Sequence, residues 1–172
     1  MNKKRVLRGL VILLILAFDL WLDRISKVYV RNHFRFGEDF FPFKNFDHFL
    51  ITRTENTGAF LSLGDSLANP WRFILLTLLP AAVLLFGLVY VLIKTKLDKL
   101  NALGIILVLA GGIGNLYDRW VYNSVTDFMF IKFSWAQTGV FNVADMSIMA
   151  GVGILLIQSF LSDRKVKKQV TV

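Results

Sequence analysis

The chain has 172 residues, of which 55% are hydrophobic and 14% aromatic, with a formal net charge of +8 and a mean hydropathy of +0.57. That is enough for one domain and too apolar for an ordinary soluble one. With no cysteine, disulfides, thiolate ligands, a thiol nucleophile and acylation of the chain itself on cysteine are excluded; His33 and His48 are too far apart for the usual zinc spacing, and basic residues flank apolar stretches instead of forming a nucleic-acid stripe.

A mainly α, polytopic membrane protein is expected, as a single membrane-embedded domain over residues 1–172. The basic start Lys3, Lys4, Arg5 and Arg8 leads into a first span at about 9–30. Asp19, Asp23 and Lys27 follow in the same periodic segment without a small-residue cleavage site, which argues against a signal peptide. Their i, i+4, i+8 spacing puts them on one inward face, where Asp23 and Lys27 can pair. That pair either fixes helix packing or helps position a site.

An external segment at 31–69 mixes seven phenylalanines, from Phe34 through Phe46 to Phe49, with charges, then runs into a strand-like stretch at 48–54. A small sheet between the first two spans is expected here, either resting on the membrane interface or enclosing a small core. A second span is read at about 70–93, a third at 100–117 and a fourth at 140–161, each near the ~20 residues that cross hydrocarbon. Lys94, Lys96 and Lys99 lie between the second and third, and Arg164, Lys165, Lys167 and Lys168 follow the last. By the positive-inside rule both termini are cytoplasmic and the other two connections face outward. The glycines of Ala110-Gly-Gly-Ile-Gly-Asn, with Ala150, Gly151 and Gly153, read as helix-packing residues.

Asn115, Asp118, Asp127, Asn142 and Asp145 lie in or beside stretches apolar enough for a bilayer, where an unpaired ionisable group costs a few kcal/mol or more. Asn115 and Arg119 are one turn apart beside Asp118, so the Arg119 guanidinium is expected to hold a carboxylate. Asp127 lies in a short external connection, and Asn142 and Asp145 share a face near the outer start of the fourth span. Asp127 and Asp145 are thus expected to meet. Two carboxyls in one dry site titrate as a pair, one acting as acid and the other as base, which is the requirement for metal-free peptide hydrolysis. Ser26 beside Lys27 is the rival nucleophile, but neighbours on a helix point about 100° apart. A transporter or proton relay built on the same acids, and a non-catalytic scaffold, remain alternatives.

Five motifs in order, Asp23-Arg-Ile-Ser-Lys27, Asn56-Thr-Gly-Ala-Phe60, Gly111-Gly-Ile-Gly-Asn115-Leu-Tyr-Asp118-Arg119, Val125-Thr-Asp127-Phe128 and Phe141-Asn-Val-Ala-Asp145, make the chain resemble the bacterial lipoprotein signal peptidases, or signal peptidase II. The resemblance covers nearly the whole chain. It implies an aspartyl endopeptidase of the bacterial cytoplasmic (inner) membrane, with its active site toward the outer face, acting on diacylglyceryl prolipoproteins before the lipid-modified cysteine. Asp127 and Asp145 would be the catalytic dyad, while Asn56, Gly58, Asn115, Arg119 and Asn142 would bind substrate or support the dyad. Asp23, Lys27 and Asp118 would be structural polar residues. The resemblance further implies an external β-cradle with a mobile loop and a globomycin-type inhibitor; membrane lipid as surroundings, no cofactor or metal, and a monomer are expected as well. Two departures stand out: Phe60 follows Ala59 directly, and Asn123 occupies a place commonly held by glycine, where it too tolerates φ > 0.

Overall fold

The structure, a computed structural model, describes residues 3–43, 48–58, 64, 66–94 and 96–170, with side chains to residue 162. Phe46 and the Ala59–Phe60 part of the second motif lie outside the described residues. The elements run α1 (Lys3–His33), β1 (Asp39–Phe40), β2 (Phe49–Asn56), α2 (Trp71–Ile93), α3 (Lys99–Tyr122), β3 (Val125–Ile131) and α4 (Val143–Val170). Within α2 a π-helical turn, Ile74–Leu78, precedes Pro80. Proline cannot donate its backbone N–H, and the wider turn accommodates that break without ending the helix.

Among the described residues three helices are long and apolar enough to cross a membrane: Trp71–Ile93, Lys99–Tyr122 and Val143–Ser162. At 31 residues α1 is long enough, but its polar stripe of Asp19, Asp23, Arg24 and Lys27 keeps it out of the apolar class. Several helices differ in extent from the expected spans. The third helix continues past 117 to Tyr122, and the fourth begins at Val143, not 140.

The bundle is inverted relative to a soluble protein. Lys27, Asp118, Asn142 and Thr126 are among its most completely buried side chains, while Leu14, Phe86 and Phe160 are each more than 65% exposed. Such an outer surface suits lipid, and the polar interior requires internal partners. Toward the Lys94 end the interior turns apolar, with Ile12, Val91, Ile106 and Leu109 packed together.

Small residues allow α3 and α4 to touch by their backbones. A Cβ on Gly111 would stand 2.2 Å from the Ala144 carbonyl oxygen, and one on Gly151 would stand 2.5 Å from that of Gly104. Gly153 does not share this role, since nothing lies within 4 Å of its Cβ position, and Ala150 is exposed.

The sheet is three-stranded and antiparallel, in the order β1-β2-β3. Its third strand corrects the expectation of a sheet confined to the segment between the first two helices. Residues 125–131, expected in a short connection, pair with β2 in the register Thr54↔Asp127 and Asn56↔Val125. Asn123 makes the turn into this strand. It caps α3 in the left-handed conformation, φ 58°, which asparagine adopts at lower cost than most side chains.

Candidate active site

Asn142 is the residue on which the site is built. It precedes the first turn of α4, and its Oδ1 accepts the backbone N–H of Asp145 at 2.9 Å while the Asp145 Oδ2 accepts the backbone N–H of Asn142 at 3.2 Å. This reciprocal capping satisfies two amides at the helix start. It also leaves the Asn142 Nδ2 free to turn outward, where it donates to Asp127 Oδ1 at 2.6 Å and to Asn115 Oδ1 at 3.1 Å.

Asp127 comes from β3. Asn56, two residues along β2 from the partner of Asp127 and on the same face of the sheet, donates its Nδ2 to Asp127 Oδ2 at 3.0 Å. Asn115 on α3 donates its Nδ2 to Asp145 Oδ1 at 2.8 Å. The two carboxyls therefore join through a pair of asparagine amides, and four elements converge on them. Asp127 is 3% exposed. Burial first, and then the charge of Asp145, push its pKa from 3.8 up to about 7, against the opposing pull of Asn56, Asn142 and Lys27.

Beneath the pair lies a buried ionic cluster. The Lys27 Nζ donates to Asn115 Oδ1 and Asp23 Oδ2, both at 2.9 Å, and stands 3.2 Å from Asp118 Oδ2. Asp23 reaches α4 as well, its Oδ1 accepting the backbone N–H of Ala144 at 3.0 Å. Gly114 makes room for this carboxylate, because a Cβ there would meet Asp23 Oδ2 at 2.6 Å. One turn deeper, Asp19 accepts from Ser147 Oγ at 2.6 Å, which supplies the partner that the sequence left unnamed.

Among the described residues the expected pairing of Arg119 with a carboxylate is not formed. Its Nη2 donates to the Gly58 carbonyl at 2.8 Å, while the Gly58 N–H donates to Asn56 Oδ1 at 3.0 Å. Its Nε is buried without a hydrogen-bond partner among the described residues. Asp118 is instead held from α1, by Arg24 Nη1 at 2.8 Å, by Arg31 Nη2 at 3.2 Å and by Lys27. Sequence reasoning missed Arg24 and Arg31. Their signal was present, since residues 24, 27 and 31 recur at i, i+3 and i+7 on one helix face. The Ser26 hydroxyl donates to the Asp23 carbonyl at 2.9 Å, so it is not paired with Lys27 as a nucleophile and base would be.

Comparison with known proteins places this geometry in context. The family described as signal peptidase (SPase) II matches residues 12–161. The lipoprotein signal peptidase of Bacillus pumilus is 34% identical over 159 residues, 91% of this chain and 97% of that one. That of Brevibacillus brevis is 36% identical over 153 residues, 88% and 96% of the two chains. A solved bacterial membrane enzyme shares the fold with a TM-score of 0.77 at 24% identity, covering 91% of each chain.

Proposed function

The chain belongs to the signal peptidase II family, and from that premise we propose that it is an aspartyl endopeptidase that cleaves diacylglyceryl prolipoproteins before the lipid-modified cysteine. Asp127 and Asp145 act as the dyad. The observation that carries this reading is the double amide bridge: Asn142 holds Asp127 while capping the helix turn that bears Asp145, and Asn115 holds Asp145.

The chemistry divides by environment. Asp145 receives two N–H donors at the start of α4, where the helix dipole favours negative charge, so it is the base. Asp127, buried and raised to about 7, holds the proton. A water placed between them loses a proton to Asp145 as its oxygen attacks the scissile carbonyl carbon, and Asp127 passes its proton to the carbonyl oxygen. Asp127 recovers that proton as the tetrahedral intermediate collapses. The C–N bond then breaks, and the amine leaves with the proton held by Asp145. Arg119, with its free Nε, binds a substrate carbonyl beside the Gly58 turn.

The acids gather where α3, β3 and α4 meet, at the end opposite the basic Lys94–Lys99 connection. With α1 as a fourth span, both termini lie in the cytoplasm and the dyad faces the outer side of the inner membrane. Bilayer-confined diacyl chains then deliver the peptide to the site, which a monomer suffices to form. An inhibitor of the globomycin type would occupy the same place.

The test incubates purified protein in detergent with a diacylated prolipoprotein and follows signal-peptide release by gel shift, with and without a chelator. Cleavage should survive chelation and be lost in D127N and D145N, both still folded by thermal melting. Persistent cleavage in both variants would remove the dyad.

A further inference from the structure

We propose, resting on the dyad reading above, that Thr126, Arg31 and Glu55 are positioning residues that lock the back of β3 to the outer end of α1 and thereby set the place of the Asp127 carboxyl. Side chains alternate along a strand, so Asp127 faces the dyad while Thr126 faces the other way. Thr126 is fully buried. Its hydroxyl accepts from Arg31 Nε at 2.6 Å and donates to Glu55, whose oxygens lie at 3.0 and 3.1 Å. A threonine hydroxyl has one proton to give, and here it is used. Glu55 also accepts from Ser124 Oγ at 2.7 Å.

Both flanks of this junction are tied down. The Arg31 guanidinium lies 3.7 Å over the Tyr122 ring and 3.2 Å from Asp118, which also accepts the Thr126 backbone N–H at 3.4 Å. The β2–β3 register shifts between Ile51 and Thr54. Within that irregular stretch Arg53 sends its Nη1 to the Arg31 carbonyl at 2.9 Å, at the end of α1. A bulge would otherwise let the strand pivot beside Asp127. The hydroxyl-centred clamp removes that freedom.

The experiment measures kcat and KM on the diacylated substrate, together with thermal melting, for wild type, T126V, T126S, E55Q and D127N. T126V keeps the shape and loses the hydroxyl. Since misplacement by about 1 Å costs about a hundredfold, T126V should lower kcat by about ten- to a hundredfold with KM within about twofold, and T126S should restore most of it. E55Q, which removes the charge and one of the two acceptor oxygens shared by Thr126 and Ser124 while leaving β3 unaltered, should lower kcat in the same sense. Wild-type kcat in T126V or E55Q, an effect on KM alone, or a T126S as impaired as T126V would each overturn the clamp. D127N separates the two ideas: full activity there defeats the dyad, whereas an inactive D127N with a fully active T126V defeats only the clamp.

Discussion

The contact between Gly111 and Ala144 offers the sharpest test of how closely α3 and α4 must approach. In G111A the new methyl would stand 2.2 Å from the Ala144 carbonyl oxygen, 2.8 Å from Ile148 Cγ1 and 3.0 Å from the Ala144 carbonyl carbon. Two of those three atoms are backbone, so no side-chain rotation relieves the clash, and the start of α4 must retreat by about 1 Å to reach ordinary contact. Asp145 rides on that turn. Its 2.8 Å bond from Asn115 crosses the same interface and would stretch well beyond hydrogen-bonding range. Overpacking of this kind costs about 1–3 kcal/mol, and a 1 Å displacement of a reacting group about a hundredfold in rate. The assay pairs denaturant unfolding in detergent with turnover of the diacylated substrate, and G153A is the control, because nothing lies within 4 Å of its Cβ position. G111A should lose both stability and about two orders of magnitude in kcat, with G153A near wild type. A G111A that melts and turns over like G153A would show that the helices need not touch here, and the account of the site as a product of close packing would fall.

The pH dependence follows from Asp127, whose pKa of about 7 lies above the usual 3.8. The folded state thus binds an extra proton between about pH 4 and pH 7, so this group's contribution to stability falls as pH rises through that window and is constant above it. As the pair loses its shared proton near 7, kcat should fall on the alkaline side, and N56L, which removes a donor to the ionised carboxylate, should move that limb to higher pH; a limb that stays put would refute the assignment. K27M leaves the fully buried Asp118 and nearly buried Asp23 without their shared cation, and should cost about 3–5 kcal/mol in an unfolding titration. A loss below about 1 kcal/mol would mean that the cluster is solvated. N142S retains a good helix cap but no amide to reach Asp127, so its melting should stay near wild type while kcat drops by more than tenfold. Parallel losses in both would contradict the division of roles.

Much of this architecture was legible because the bilayer constrains it. Three of the four expected spans follow from apolar length alone, and Asp145 was placed beside Asn142 by the three-residue spacing of a helix start. What was missed depends on backbone or on distant pairing. No side-chain pattern reveals that Arg119 seeks the Gly58 carbonyl, since every residue carries such an acceptor. Strand β3 read as a connection because its partner lies about 70 residues earlier in the chain, and strand formation depends on that neighbour more than on local preference. Arg24 and Arg31 were within reach of the sequence. Their helical spacing from Lys27 marks them as members of its buried face, and the buried acids there require such cations.

The depth of the charges bears on the choice between hydrolysis and proton conduction. A relay needs titratable groups at hopping distance through the whole bundle. Here the chain of contacts descends from Asp127 and Asp145 through Asn115 and Lys27 to Asp23, and Asp19 sits one turn deeper, bonded to Ser147. Below that the described interior is closed by Ile12, Val91, Ile106 and Leu109, with no titratable side chain in that cluster. Its packing gives a proton nowhere to go. The buried cations have a different use: Lys27, Arg24 and Arg31 neutralise carboxylates that would otherwise add to the charge around Asp127 and Asp145, which leaves the proposed dyad at one face of the bundle.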